Sequence, residues 1–263
     1  MCWRRSRCAR RCISVRRSRA APFELDSDDR VVVLVAHPDD EAYAHGALLA
    51  RARTCGATTH VLCLTRGEGG RPRASVDARR QLAERREAEL RAACVAVGAT
   101  PSLLGVADGA VKNDEATCEL IRRLLEQLQP TVLLTCGDDG VYGHRDHLAS
   151  LQLARALCGV LGDRAPHHLV ACFPRGLFTP LWRRLRRSPF IDPAIRVSDL
   201  GVEPDGQVFR LDLDEAERRV KRQMLSCHGS QLRDSDPQRF LLPEIAAWVL
   251  KHEWYREGSR AHL

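Results

Sequence analysis

The feature that most constrains this chain is a recurring pattern of short apolar runs separated by stretches with helical spacing. Val31-Val-Val-Leu-Val-Ala36 is continuous and β-branched, which predicts a strand buried on both faces, as in a parallel sheet. Residues 41–54 follow with Ala44, Leu48, Leu49 and Ala52 at helical intervals. Residues 59–65 predict a second strand, and residues 77–97 a helix that opens on Asp77 and closes before Gly98. Leu103-Leu104 suggests a short strand, and residues 114–129 a helix with Pro130 just beyond its end. Residues 131–135 are another buried strand, followed by a loop at 136–143 and a helix over 146–159. Residues 168–173 continue the series. This alternation predicts an α/β fold: a Rossmann-like, mostly parallel sheet with helices on both faces. Residues 174–207 read as an irregular late segment, rich in proline, with Arg183, Arg184, Arg186 and Arg187 clustered around Trp182. A strand is expected at 208–213, then helices at 214–227 and about 238–254.

A net charge of +7 would suggest a nucleic-acid partner if it were spread over the domain. It is not. Residues 1–21 hold eight arginines and no acid, and subtracting those charges leaves residues 22–263 at −1. We therefore expect residues 1–28 to be a disordered basic tail, residues 29–256 to form one domain, and no nucleic acid to be bound. No apolar run approaches the ~20 residues of a transmembrane helix. Eleven cysteines, an odd number with no CxxC pair, sit largely in apolar segments, which fits a reducing cytoplasm better than a disulfide framework. Homo-oligomerisation is compatible with the sequence and not specified by it.

Two segments carry chemistry. Ala36-His37-Pro38-Asp39-Asp40-Glu41 follows the first strand, and Tyr142-Gly143-His144-Arg145-Asp146-His147 follows the 131–135 strand. Either one alone reads equally well as a helix start, with Asp39 or Asp40 as the cap. Together they occupy strand carboxyl ends, where open α/β sheets bind ligands. His37, Asp40 and His147 make a two-histidine, one-carboxylate set that suits Zn²⁺ and leaves a position for water; Fe²⁺ suits it too. Bound zinc lowers the pKa of that water to about 7. Of the adjacent aspartates, one can hold metal while the other takes a proton. Arg66 and Glu68 are candidate substrate contacts or solvated loop charges, and Asp108 either contacts substrate or forms an ordinary Asp-Gly turn. Arg86 and Glu89 read as a pair on a helix surface. His228 either lines the site or caps the 214–227 helix. A dinucleotide-binding reading fails, because His-Pro-Asp-Asp stands where a GxGxxG turn belongs.

These residues resemble the PIG-L/LmbE-like family of zinc-dependent deacetylases. Residues 36–41 match its Ala/Pro-His-Pro-Asp-Asp-Glu motif, and residues 144–147 its His-x-Asp-His motif, with Arg145 where proline is common. Weaker matches are Thr65-Arg-Gly-Glu68, Arg86-x-x-Glu-Leu90, Asp108-Gly109, and Lys221 with His228-Gly-Ser-Gln231. The resemblance implies His37, Asp40 and His147 as metal ligands and Asp39 as general base. It also implies His144 as the acid or oxyanion-side group, Asp146 as an orienter of histidine, and Tyr142 as a stabiliser of the tetrahedral intermediate. The implied reaction removes an acetyl group from an N-acetylglucosaminyl-type conjugate, with zinc-bound water as nucleophile. Relatives acting on thiol conjugates or acylated antibiotics give an alternative substrate, and a non-catalytic sugar-binding module an alternative role.

Overall fold

The computed structural model describes residues 24–70, 75–233, 236–239 and 241–258. Seven strands form one sheet: β1 (Arg30–Val35), β2 (Thr58–Thr65), β3 (Thr100–Val106), β4 (Val132–Cys136), β5 (His167–Cys172), β6 (Phe209–Asp212) and β7 (His252–Glu257). The helices are α1 (Asp40–Cys55), α2 (Val76–Val97), α3 (Glu115–Leu128), the single turn α4 (Gly140–Gly143), α5 (Arg145–Leu161), α6 (Thr179–Leu185), α7 (Glu215–Cys227) and α8 (Pro243–Val249). The sheet order is β3-β2-β1-β4-β5-β7-β6. The first five strands run parallel, and β7 is antiparallel to both β5 and β6.

The β1 run is buried on both faces, as its composition predicts. Val31, Val33 and Val35 enter a core with α1, α2, α7 and α8, while Val32 and Leu34 enter a second core with α3 and α5. The chain leaves β1 towards β2 on one side and returns to β4 on the other. The order therefore reverses between β1 and β4, and this switch point opens a crevice at their carboxyl ends.

Three expectations need correction. Most of the tail expected at 1–28 lies outside the described residues, but Leu25 within it is buried in the core and Asp26 forms a turn with Asp29, so packing begins ahead of residue 29. The strand expected at 103–104 extends over Thr100–Val106. The helix expected over 238–254 is the short α8 followed by β7. In His252-Glu-Trp-Tyr-Arg-Glu257, Glu253 and Tyr255 point inward with a period of two, which a helix cannot provide. The late segment also holds one short helix, α6.

His168 on β5 is buried, with Nε2 2.9 Å from Thr135 Oγ1. Burial and the nearby Arg155 push its pKa down to about 4. The unfolded chain, with an ordinary histidine pKa, takes up this proton first. The stabilisation is thus complete above about pH 6.5 and is lost as pH falls towards 4, by about 3 kcal/mol. Urea unfolding of the parent and of His168→Gln should diverge across this window, with the variant losing less stability on acidification. Parallel curves would show that His168 does not titrate as a buried neutral group.

Candidate metal centre and active site

Both chemical segments meet at the switch point. β1 delivers His37 to the crevice, and α1 starts at Asp40. β4 leads through α4 to α5, which carries His147 in its first turn. All three side chains are buried. His37 Nδ1 lies 3.2 Å from His147 Nε2 and 3.5 Å from Asp40 Oδ2, and His147 Nε2 lies 3.3 Å from Asp40 Oδ1.

The other ring nitrogens decide what this triangle is. His147 Nδ1 is 3.1 Å from the Gly140 carbonyl, which can only accept, so Nδ1 carries the proton and Nε2 presents a lone pair. His37 Nε2 is 3.2 Å from both Asp108 Oδ1 and Asp146 Oδ2, so in the neutral ring the proton sits there and Nδ1 presents a lone pair. With His37 neutral, two lone pairs thus converge with the Asp40 carboxylate, whose Oδ2 also accepts from His37 N at 2.9 Å, a set that could hold a cation. Ligands about 2.0–2.1 Å from a tetrahedral metal lie about 3.3–3.4 Å from one another, which the triangle matches. His144 with His37 and His147, and Asp108 with Asp146 and His37, form two further groups whose ligand atoms lie within 4.8 Å of one another. In the His37–Asp40–His147 set, both rings are oriented from behind by the Gly140 carbonyl, Asp108 and Asp146. Burial disfavours charge on His37, yet Asp108, Asp146 and Asp40 outweigh it and raise its pKa. Burial is likewise outweighed at Asp40, whose carboxyl the two imidazoles hold well below the usual range.

Asp146 is fully buried and also accepts from Gly109 N at 2.7 Å, so the orienting role expected of it has a geometry. Asp39 stands beside the triangle. Burial lifts its pKa to about 6 against the opposing charge of Arg86, whose Nη2 donates to Asp39 Oδ2 at 3.1 Å. His144 caps α5, with Nδ1 accepting from Asp146 N at 3.2 Å, so a neutral ring carries its proton on Nε2. Burial, His37 and His147 all lower its pKa. Tyr142 packs edge-on to His144 and His147 and stacks on Phe178. Phe190, from the late segment, stacks on His144 at 5.8 Å.

The expected substrate contacts fare differently. Asp108 is drawn into the site by His37 and by Gly69 N, 2.8 Å from its Oδ2. Glu68 accepts from Asp108 N at 2.8 Å, tying two site loops together. Arg66 pairs with Glu87 on α2 at 2.7 Å. His228 does not line an open cleft. It is fully buried, and its Nε2 is 2.7 Å from Glu41 Oε1.

Arg86 and Glu89 are not a surface pair, because both are buried and face different partners. Arg86 also donates to the Pro38 and Gly67 carbonyls, while Glu89 accepts from Ser230 N at 2.7 Å and Ser230 Oγ at 2.6 Å. Arg86, expected on a helix surface, and Glu41, given no role of its own within its motif, are site residues whose contacts the sequence did not assign. Glu41 Oε2 accepts from Asp39 N at 3.0 Å and holds Asp39 at φ 113°. The other strained residue of the site is Val141, at φ 69°. Non-glycine residues in such regions cost about 1–3 kcal/mol each and persist only where neighbours hold them.

Residues 32–158 match the family model for GlcNAc-PI de-N-acetylases, PIG-L. The matched segment contains most of β1, all of β4, and every residue of the proposed metal triangle. The chain is 28% identical to a 1D-myo-inositol 2-acetamido-2-deoxy-alpha-D-glucopyranoside deacetylase of Corynebacterium glutamicum, across 90% of this chain and 93% of that protein. It is 26% identical to the protein of that description from Streptomyces scabiei, across 88% and 86%. The crystal structure of an antimicrobial pseudoaglycone deacetylase superposes with a TM-score of 0.64 at 20% identity, covering 89% of this chain and 99% of that one. That likeness of fold covers more of the chain than residues 32–158.

Proposed function

We propose that this protein is a metal-dependent hydrolase that removes an acetyl group from an N-acetylated amino-sugar conjugate. The observation that carries the reading is the convergence of two imidazole lone pairs and the Asp40 carboxylate, with Asp39 beside them. The likeness to glucosaminyl-inositol deacetylases supports an N-acetylglucosaminyl substrate.

His37, Asp40 and His147 would hold the metal, zinc or ferrous iron. When bound, it supplies positive charge that polarises the amide carbonyl and acidifies nearby water. Asp39 takes the proton of the attacking water, and Arg86 orients its carboxylate. His144 in its neutral form presents Nε2–H as a hydrogen-bond donor towards the developing oxyanion, and Tyr142 supports the same side. The acid role expected for His144 passes to Asp39, which delivers the proton it has gained to the departing amine. Acetate and a free amino sugar result. Asp108 and Asp146 keep the His37 ring in register.

The test is acetate release from N-acetylglucosaminyl-inositol, with a chelator and with zinc restored afterwards. Activity should vanish with the chelator and return with zinc, and His147→Ala should fail to retain stoichiometric metal. Acetate release that the chelator leaves unchanged would overturn the proposal.

A further inference from the structure

Asp139 has no part in the chemistry above, yet its carboxylate sits under the most strained turn of the site. Val141 is a β-branched residue at φ 69°, ψ −54°, a region that such residues avoid. It is also buried, so solvent does not satisfy its amide. Asp139 Oδ1 accepts from Val141 N at 2.9 Å, and Asp139 Oδ2 accepts from Gly201 N at 2.8 Å. Gly201 is itself fixed. Its neighbour Val202 donates to the Phe173 carbonyl at 2.8 Å and accepts from Arg175 N at 3.0 Å, directly beyond β5. A Cβ on Gly201 would meet the Pro174 carbonyl oxygen at 2.6 Å, so the backbones pass as closely as glycine permits.

The strained turn has one output that matters for the site. It aims the Gly140 carbonyl at His147 Nδ1, which sets the tautomer and the ring direction that leave Nε2 facing His37 and Asp40. Without a carboxylate to accept its amide, Val141 would relax towards negative φ and carry that carbonyl away.

We propose that Asp139 is a positioning residue for the metal site: it clamps the Val141 turn to the sheet through Gly201 and so fixes the His147 imidazole for ligation. This rests on the metal reading proposed above. Groups that orient a metal ligand from behind typically contribute 10–100-fold to metal affinity.

The experiment is competition for zinc against a chromophoric chelator, using the full chain as parent, Asp139→Asn and Asp139→Ala, with thermal unfolding of each metal-free protein. Asp139→Ala should bind zinc about 10–100-fold more weakly. Asp139→Asn keeps one acceptor oxygen and should fall between. Adding Val141→Gly to Asp139→Ala should recover part of the lost affinity, because glycine adopts this turn without strain. A folded Asp139→Ala with parental zinc affinity overturns the inference. If that variant does not fold, parental affinity in Asp139→Asn does so instead. Failure of the parent to bind zinc would overturn the metal reading itself, and this inference with it.

Discussion

Asp39→Asn is expected to lower kcat by about 10²–10⁴-fold, the usual contribution of a positioned general base, while leaving KM and bound zinc near parental values. The geometry separates the two aspartates. Asp40 turns both oxygens to the imidazoles, whereas Asp39 Oδ2 faces Arg86 and lies outside the metal triangle. Asparagine preserves shape and the Arg86 contact through its carbonyl but cannot accept a proton. Steady-state kinetics beside metal analysis of the same preparation reads both halves. Full activity in the variant would remove Asp39 from the mechanism, and loss of metal would make it a ligand instead.

The second large effect concerns stability. Lys221 on α7 and Glu253 on β7 are both fully buried and 2.5 Å apart. Burial lowers the Lys221 pKa, opposed by Glu253. Glu253 also accepts from Ala47 N at 2.7 Å, Leu48 N at 3.0 Å and the Tyr255 hydroxyl at 2.9 Å, so one carboxylate joins α1, α7 and β7. Lys221→Met strands that charge and should cost about 3–5 kcal/mol. For a chain of this size that is a fall in Tm of roughly 6–20 °C. Adding Glu253→Gln should recover part of it, because no charge is then left unpaired. A single variant that melts with the parent would show that solvent or protonation relieves Glu253.

The parallel sheet was legible because β1 and β4 are apolar at consecutive positions, and both faces of each are covered. The proposed metal ligands were legible as a candidate set because two histidine-aspartate segments each follow such a strand. Arg86 was not, since an arginine on a helix gives no sign of whether it faces water or a neighbouring turn. Glu41 and Asp139 escaped for another reason. Their work is to hold Asp39 and Val141 at positive φ, and no residue type marks that conformation when glycine is absent. The region 238–254 was misread because its apolar residues suit a helix until Glu253, whose inward direction depends on a lysine 32 positions earlier.

The pairing of β1 with β4 also imposes an order on the protein's assembly. His37 and His147 are 110 residues apart, and no local segment holds both. A growing chain that has not yet produced α5 has only His37 and Asp40, a half-site with no second imidazole. On the metal reading proposed above, capture would wait until the two halves of the sheet have joined, and zinc loading would report that the central fold is complete.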